Sequence, residues 1–304
     1  MRPTLSVTLP TFGDALGGDW RRLLDLARAA EDAGVDRIVV PEHVVLGAHT
    51  DAYPWGRFPS PPEAPWLDPL VVLSAIAGVT STLRLGTGIL VAPVRPAVVL
   101  AKAVATLDVI SGGRVDLGVG TGWQREELEA AGATFDQRGQ ALTDTVAACR
   151  ALWTELPATF TSPTVSFSEI YCSPQPVQRP LPVWFSGSAT GRNVRRIAAL
   201  GDGWIPIMGS APDAVASGVA SVRAALVDAG RDPDALSVRV PVPPVRDDGG
   251  AVDMPATMAG VQPLIAAGAT DVGVNLRTLD PALDDVDATF GRLVGAFNAV
   301  CPPG

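Results

Sequence analysis

Eight short runs dense in Val, Ile and Leu recur along the chain, each followed by a segment of helical periodicity. This alternation restricts the fold more than any other feature. The runs are 5–10, 36–40, 83–91, 114–120, 181–187, 203–207, 236–242 and 271–276. The helical segments are 19–33, 68–80, 96–110, 123–131 with 138–154, 190–200, 211–229, 255–267 and 282–299. Strands that are apolar on both faces belong to a sheet covered on both sides, and hence parallel. Eight β-then-α units predict a closed (β/α)8 TIM barrel, and a chain of 304 residues suits one such domain spanning 1–304. An open doubly wound sheet is the rival; the count of eight, with no glycine-rich turn after the first strand, favours closure.

The turns divide into two ends. Gly34, Gly230 and Gly268 stand where helix C-termini need a left-handed residue, and they mark the bottom of the barrel. The opposite loops follow the strands, where barrels of this kind carry their chemistry. Residues 41–67 form a long insertion after strand two, rich in proline and aromatics, and are read as a substrate lid with Tyr53, Trp55, Phe58 and Trp66 as apolar walls. A second insertion, 155–180, precedes strand five and is read as an excursion or subunit contact.

Strand ends supply the candidate chemistry. Strand two ends in Glu42 and His43, an acid beside one of only two histidines; His49 reads as a lid surface residue. Strand three carries Thr87, Gly88 and Ile89, with glycines inside a β-branched run, the mark of a bulge or of the close approach of something flat. Strand four ends in GVGTGW (118–123), where Gly120 and Thr121 let a ligand approach the backbone. Strand five ends FSGSATGRN (185–193) directly before a helix. There Ser188 or Thr190 can cap, and amides near Gly187 and Ser188 suit an anion. Together these suit a flat cofactor with a phosphate tail. Arg95 meets either an anion or solvent, and Asp108 with Arg114 reads as an ion pair around the SGG turn. Asp202 and Trp204 read as structural, with Trp204 also available to wall the phosphate site. The acids of QREE (124–127) suit a helix N-terminus rather than catalysis.

The segments PEHVV (41–45), LRLGTGILVAPVRPAVVLAKAVATLDVISGGRVDLGVGTGWQREE (83–127) and PVWFSGSATGRNVRRIAALGDGWIPI (182–207) resemble the luciferase-like monooxygenase superfamily, in particular its branch of oxidoreductases dependent on the deazaflavin coenzyme F420. The resemblance spans about residues 1 to 210 and implies a barrel holding F420, or FMN, at the C-terminal ends of its strands. It implies His43 as the catalytic residue, and Glu42, Thr87, Gly88, Ile89, Gly120, Thr121, Gly187 and Ser188 as cofactor contacts. Relatives that use the deazaflavin end strand two in Asp-His, whereas this chain has Glu42. Relatives often carry a non-proline cis peptide in a bulge of strand three, and Gly88–Ile89 matches that position. Sugar-phosphate dehydrogenase members place a glutamate where this chain has Trp123, so that role is not transferred. A homodimer is implied as well.

Composition closes several alternatives. A formal charge of −9 argues against nucleic acid as a partner. No run of 18 apolar residues or signal peptide is read, and three scattered cysteines (Cys149, Cys172, Cys301) suit free thiols in a reducing cytoplasm. Two histidines exclude a His-rich metal site. A cofactor-free lyase or isomerase would need a lysine or a second acid at a strand end, and the sole lysine, Lys102, falls in a helical segment. The expectation is a hydride-transferring enzyme acting on a small organic molecule. An FMN-dependent monooxygenase using O₂ is the alternative, and a non-catalytic flavin-binding protein a further one.

Overall fold

Strand after strand in the computed structural model pairs in parallel with its sequence neighbour, and the last pairs with the first. Residues 2–207 and 209–303 are described. The barrel strands are β1 (Thr4–Thr8), β2 (Arg37–Val40), β3 (Arg84–Thr87, continued by Leu90–Val91) and β4 (Val115–Gly120). They are followed by β5 (Val183–Ser186), β6 (Gly203–Ile205), β7 (Ser237–Pro241) and β8 (Asp271–Asn275). Ser6 pairs with Arg37, Leu85 with Val115, Leu117 with Val183, Trp184 with Gly203, Arg239 with Asp271, and Thr4 with Asp271. The barrel therefore closes, and no edge is left for an open sheet. β2 and β4 are buried at every residue, as a sheet covered on both faces requires.

The helices are α1 (Arg22–Ala33), α2 (Pro69–Ala77), α3 (Ala97–Ser111), α4 (Arg125–Ala130), α5 (Arg138–Thr154) and α6 (Gly191–Leu200). Then come α7 (Pro212–Asp228), α8 (Met254–Ala259), α9 (Val261–Ala266), α10 (Leu276–Leu279) and α11 (Val286–Val300). Gly34, Gly230 and Gly268 all take positive φ, as expected of these turns. Asp68 caps α2 through the amides of Leu70 and Val71, with Pro69 in the first turn. Three expected elements are broken. The run 83–91 is interrupted by a cis peptide at Gly88–Ile89. The segment 255–267 divides at Gly260 into α8 and α9. The segment 282–299 becomes helical only after Asp285, whose side chain caps α11.

The insertion 155–180 folds an antiparallel hairpin, Ala158–Thr161 with Ser166–Ile170, tied to α5 where Asp144 accepts from the amide and hydroxyl of Thr164. Asp108 and Arg114 do not pair with each other. The Asp108 carboxylate accepts from Gln178, while Arg114 donates to the carbonyls of Ala77, Thr80, Leu83 and Ser111. The explanation is local: loop carbonyls left over around α2 and β3 need donors, and a guanidinium carries five.

The floor of the barrel is charged. Arg37 binds Asp116, Asp271 and Ser6, and Arg84 also binds Asp116. The Trp184 ring lies against the Arg37 and Arg239 guanidiniums, at 5.2 and 4.8 Å. Against the burial that would raise it, Arg37 and Arg84 hold the Asp116 carboxyl down at about 2.

Candidate functional site

His43 leaves the C-terminal end of β2 and meets two side chains from the β4–α4 segment. Its Nδ1 lies 2.9 Å from Oε2 of Glu127, and the indole Nε1–H of Trp123 points at its Nε2 over 3.4 Å. Glu127 is fully buried, and its other oxygen accepts the Val44 amide at 2.7 Å. One turn earlier, Gln124 both accepts from the Gly47 amide and donates to the Gly47 carbonyl, fastening the lid to this segment.

The lid aromatics gather over the imidazole. Trp66 and Phe58 stand edge-on to it, at 4.7 and 5.3 Å. Phe12 from the loop after β1 stacks on Trp66 at 4.1 Å. Tyr53 packs against Phe58 and Trp123, each at 5.2 Å, and its hydroxyl is pushed up by burial. Trp55 sits on the outer side of Tyr53, half exposed, and His49 is on the surface. Of the four expected aromatics, Phe58 and Trp66 reach the imidazole, Tyr53 packs on Phe58 and Trp55 stays outside, while Phe12 and Trp123 join the cluster.

Glu42 is occupied within the protein. Its carboxylate accepts the Val91 amide at 2.6 Å and is forked by Arg95, whose Nη2 also binds Asp68 at 2.7 Å. Burial pushes the Glu42 carboxyl up, and Arg95 and the Val91 amide pull against it. Glu42 thus ties β2 to the continuation of β3, and Arg95 is neither solvated nor free for an anion.

The glycines of β3 and β4 have packing reasons. A Cβ on Gly118 would stand 2.1 Å from the Thr87 carbonyl oxygen, one on Gly88 would stand 2.2 Å from Val39, and one on Gly120 2.8 Å from Ile89. Thr87 is buried and donates to the Gly118 carbonyl at 2.6 Å. Gly88, Ile89 and Thr121 stay partly exposed at the barrel mouth.

At the end of β5 the groups expected to meet an anion are partly used within the protein. The Gly187 amide is spent on the Ile205 carbonyl, and its own carbonyl accepts the Trp204 indole N–H at 2.8 Å. Neither Ser188 nor Thr190 caps α6 with its side chain; Thr190 is the cap residue by position, and Asn193 instead braces the Ser186 and Ser188 carbonyls. The first amides of α6, from Gly191 onward, have no acceptor within the helix, and Arg192 and Arg195 are exposed beside them. Asp202 lies at the other end of the barrel, paired with Arg150 and Arg231. A cavity of about 500 Å³ opens there between α5 and α6, but the Arg150 guanidinium in its wall is already bound to the Leu181 and Leu200 carbonyls and to Asp202.

Three buried polar atoms on the C-terminal loops lack partners among the described residues: Oγ1 of Thr11, Oγ of Ser60 and Nε1 of Trp66. Groups of this kind are costly to leave unpaired, and they fit a polar ligand at this face.

The profile of the luciferase-like monooxygenase family matches residues 4–267. An uncharacterized protein of Mycobacterium tuberculosis is 38% identical over 183 residues, 59% of this chain and 65% of that protein. The chain therefore spans just under two thirds of the length of that relative. An F420-dependent glucose-6-phosphate dehydrogenase of Kineococcus radiotolerans is 33% identical over 198 residues, 63% of this chain and 54% of that enzyme. Among solved structures, an F420-dependent secondary alcohol dehydrogenase with an F420-acetone adduct superposes with a TM-score of 0.77 at 16% identity, covering 98% of this chain and 99% of its own. The long-chain alkane monooxygenase LadA gives 0.78 at 13% identity, covering 99% and 92%. At these identities the two structures speak for the fold.

Proposed function

This chain belongs to the luciferase-like monooxygenase family, and from that premise we propose that it is an F420-dependent oxidoreductase that moves a hydride between the deazaflavin and a small organic substrate. The observation that carries the reading is His43: an imidazole at the C-terminal mouth of the barrel, held by a buried carboxylate and screened from water by Phe58, Trp66 and Trp123. The similarity to an F420-dependent dehydrogenase supports the choice of cofactor. The unpartnered Thr11, Ser60 and Trp66 atoms support a polar ligand at this end.

When bound, the deazaflavin supplies a ring carbon that gives or takes the hydride. The protein does the rest. The first amides of α6, with Arg192 and Arg195, would meet the anionic tail. The Thr87–Ile89 segment, Gly120 and Thr121 would form the floor under the ring, held in shape by the Glu42–Arg95–Asp68 strut. His43 gives or takes the balancing proton. The aromatic lid excludes water and favours an apolar or mixed substrate. Trp123 in place of an acid disfavours a sugar phosphate.

The test is titration of the purified protein with F420 and with FMN. Saturable F420 binding, with hydride transfer to a substrate, is expected; tight FMN binding with no affinity for the deazaflavin overturns the reading in favour of an O₂-using monooxygenase. We further place the protein in the cytoplasm, in keeping with three free, buried thiols. No helix among the described residues is long and apolar enough to cross a membrane. A homodimer is also proposed. Val71 on α2 and Val98, Val99 and Ile110 on α3 are exposed apolar residues that a second copy would cover, and light scattering after size exclusion reads the mass directly.

A further inference from the structure

We propose that Glu127 sets the tautomer of His43: Nδ1 carries a fixed proton, and Nε2 is the ring atom that exchanges a proton with the substrate. The inference rests on the reading above for His43's place in the reaction, but the tautomer itself is a property of the protein alone.

Glu127 is fully buried, with one oxygen accepting the Val44 amide at 2.7 Å and the other 2.9 Å from Nδ1 of His43. An ionised carboxylate only accepts, so the hydrogen between them belongs to Nδ1. In a neutral imidazole Nε2 then holds a lone pair. The other side of the ring agrees independently. An indole N–H only donates, and that of Trp123 points at Nε2 from 3.4 Å. The adjacent acid, Glu42, is turned to Arg95 and the Val91 amide and does not compete for the ring. Trp123 and Glu127 are four residues apart on one segment, so the same α4 entry that supplies the carboxylate also supplies the indole.

The contact at 3.4 Å is long for a hydrogen bond, so a substrate hydroxyl can displace the indole from Nε2. For an alcohol substrate, the O–H bond breaks and its proton passes to the Nε2 lone pair. Bound oxidised deazaflavin would accept the C–H electron pair as hydride, so that a carbonyl would remain. The resulting imidazolium keeps its Nδ1–H on Glu127, whose charge faces it. The reverse direction returns the same proton from Nε2. Glu127 is thus a positioning residue.

The chain has two histidines, so in a His49→Asn background the imidazole ¹⁵N spectrum reports His43 alone. In the cofactor-free protein the expected pattern is Nδ1–H with an unprotonated Nε2. Glu127→Gln offers one acceptor oxygen, which the Val44 amide occupies; its NH₂ then faces Nδ1 and the tautomer reverses to Nε2–H. Turnover with F420 is expected to fall about 100-fold in kcat with KM changed far less, and Glu127→Asp to restore the native tautomer and part of the rate. Trp123→Phe shifts the Nε2 resonance and leaves Nδ1–H in place, which keeps the test decisive if Glu127→Gln does not fold. An Nε2–H pattern in the native protein, or an unchanged tautomer in a folded Glu127→Gln, overturns the proposal. Because the spectra need no cofactor, a reversed tautomer together with no F420 binding sinks the function proposed above and leaves this one standing.

Discussion

The Glu127 carboxylate lies 2.9 Å from Nδ1 of His43, although 84 residues separate the two in the chain. β2 delivers the imidazole and the segment after β4 delivers the carboxylate, and the two meet because β3 alone stands between those strands in the barrel wall. That single contact orients a histidine that would otherwise stand alone at a strand end.

On the proposed function, replacing His43 with Gln should remove proton transfer while leaving the barrel and the N-terminus of α6 intact. The expected loss in kcat is about 10²- to 10⁴-fold, with F420 affinity nearly unchanged. Fluorescence titration and steady-state kinetics on the same preparation measure both, and full turnover by the variant would remove His43 from the mechanism.

Glu31 gives a pH-dependent stability term. Against a burial that would raise it, hydrogen bonds from the Ser81, Thr82 and Leu83 amides and the Thr82 hydroxyl hold its carboxyl down at about 2. A lowered value means that this stabilisation is full above the ordinary 4.5 and fades as pH falls towards 2. Glu31→Gln should therefore cost about 1–2 kcal/mol at neutral pH, with the gap to the native protein closing across that acid window in urea melts at stepped pH.

Arg37 and Arg239 on the barrel floor should respond unequally. Arg239 is buried with Nη1 and Nη2 unpartnered and Nε reaching Asp271 at 3.4 Å, and burial with the nearby Arg37 pushes its guanidinium well below the ordinary value. Arg37→Met, which strips Asp271 of its shorter contact and Asp116 of a partner, should cost about 3–5 kcal/mol, while Arg239→Met, which gives up one long contact to Asp271, should cost clearly less. Denaturant midpoints for both variants check the contrast, and an Arg239→Met as costly as Arg37→Met would contradict it.

Two glycine substitutions separate packing from flexibility. A Cβ at Gly118 would meet the Thr87 carbonyl at 2.1 Å, so Gly118→Ala should destabilise by about 1–3 kcal/mol. A Cβ at Gly291, in α11, meets nothing within 4 Å, and Gly291→Ala should stabilise by about 0.5–1 kcal/mol. Thermal melts of the pair decide it.

Much of this was legible in the sequence where the cause is local. The β-branched runs mark the eight strands, Gly34, Gly230 and Gly268 mark helix ends, and the Pro- and aromatic-rich segment 41–67 marks a long connection after β2. Glu127 was hidden behind a correct local statement, that acids suit a helix N-terminus. Its spacing from Gln124 and Leu128 held the missing signal, since all three fall on the inward face of that helix. The Glu42–Arg95 strut and the separation of Asp108 from Arg114 left no such trace.

Sequence alone therefore determined the order of elements, the barrel and the end that carries the imidazole, because periodicity and turn chemistry act over a few residues. Tertiary structure decided which polar groups meet: Glu127 with His43, Glu42 with Arg95, Asp116 with Arg37 and Arg84. Those pairings depend on how neighbouring strands are staggered around a closed wall, and that stagger is set by the packing of the whole barrel rather than by any short stretch of it.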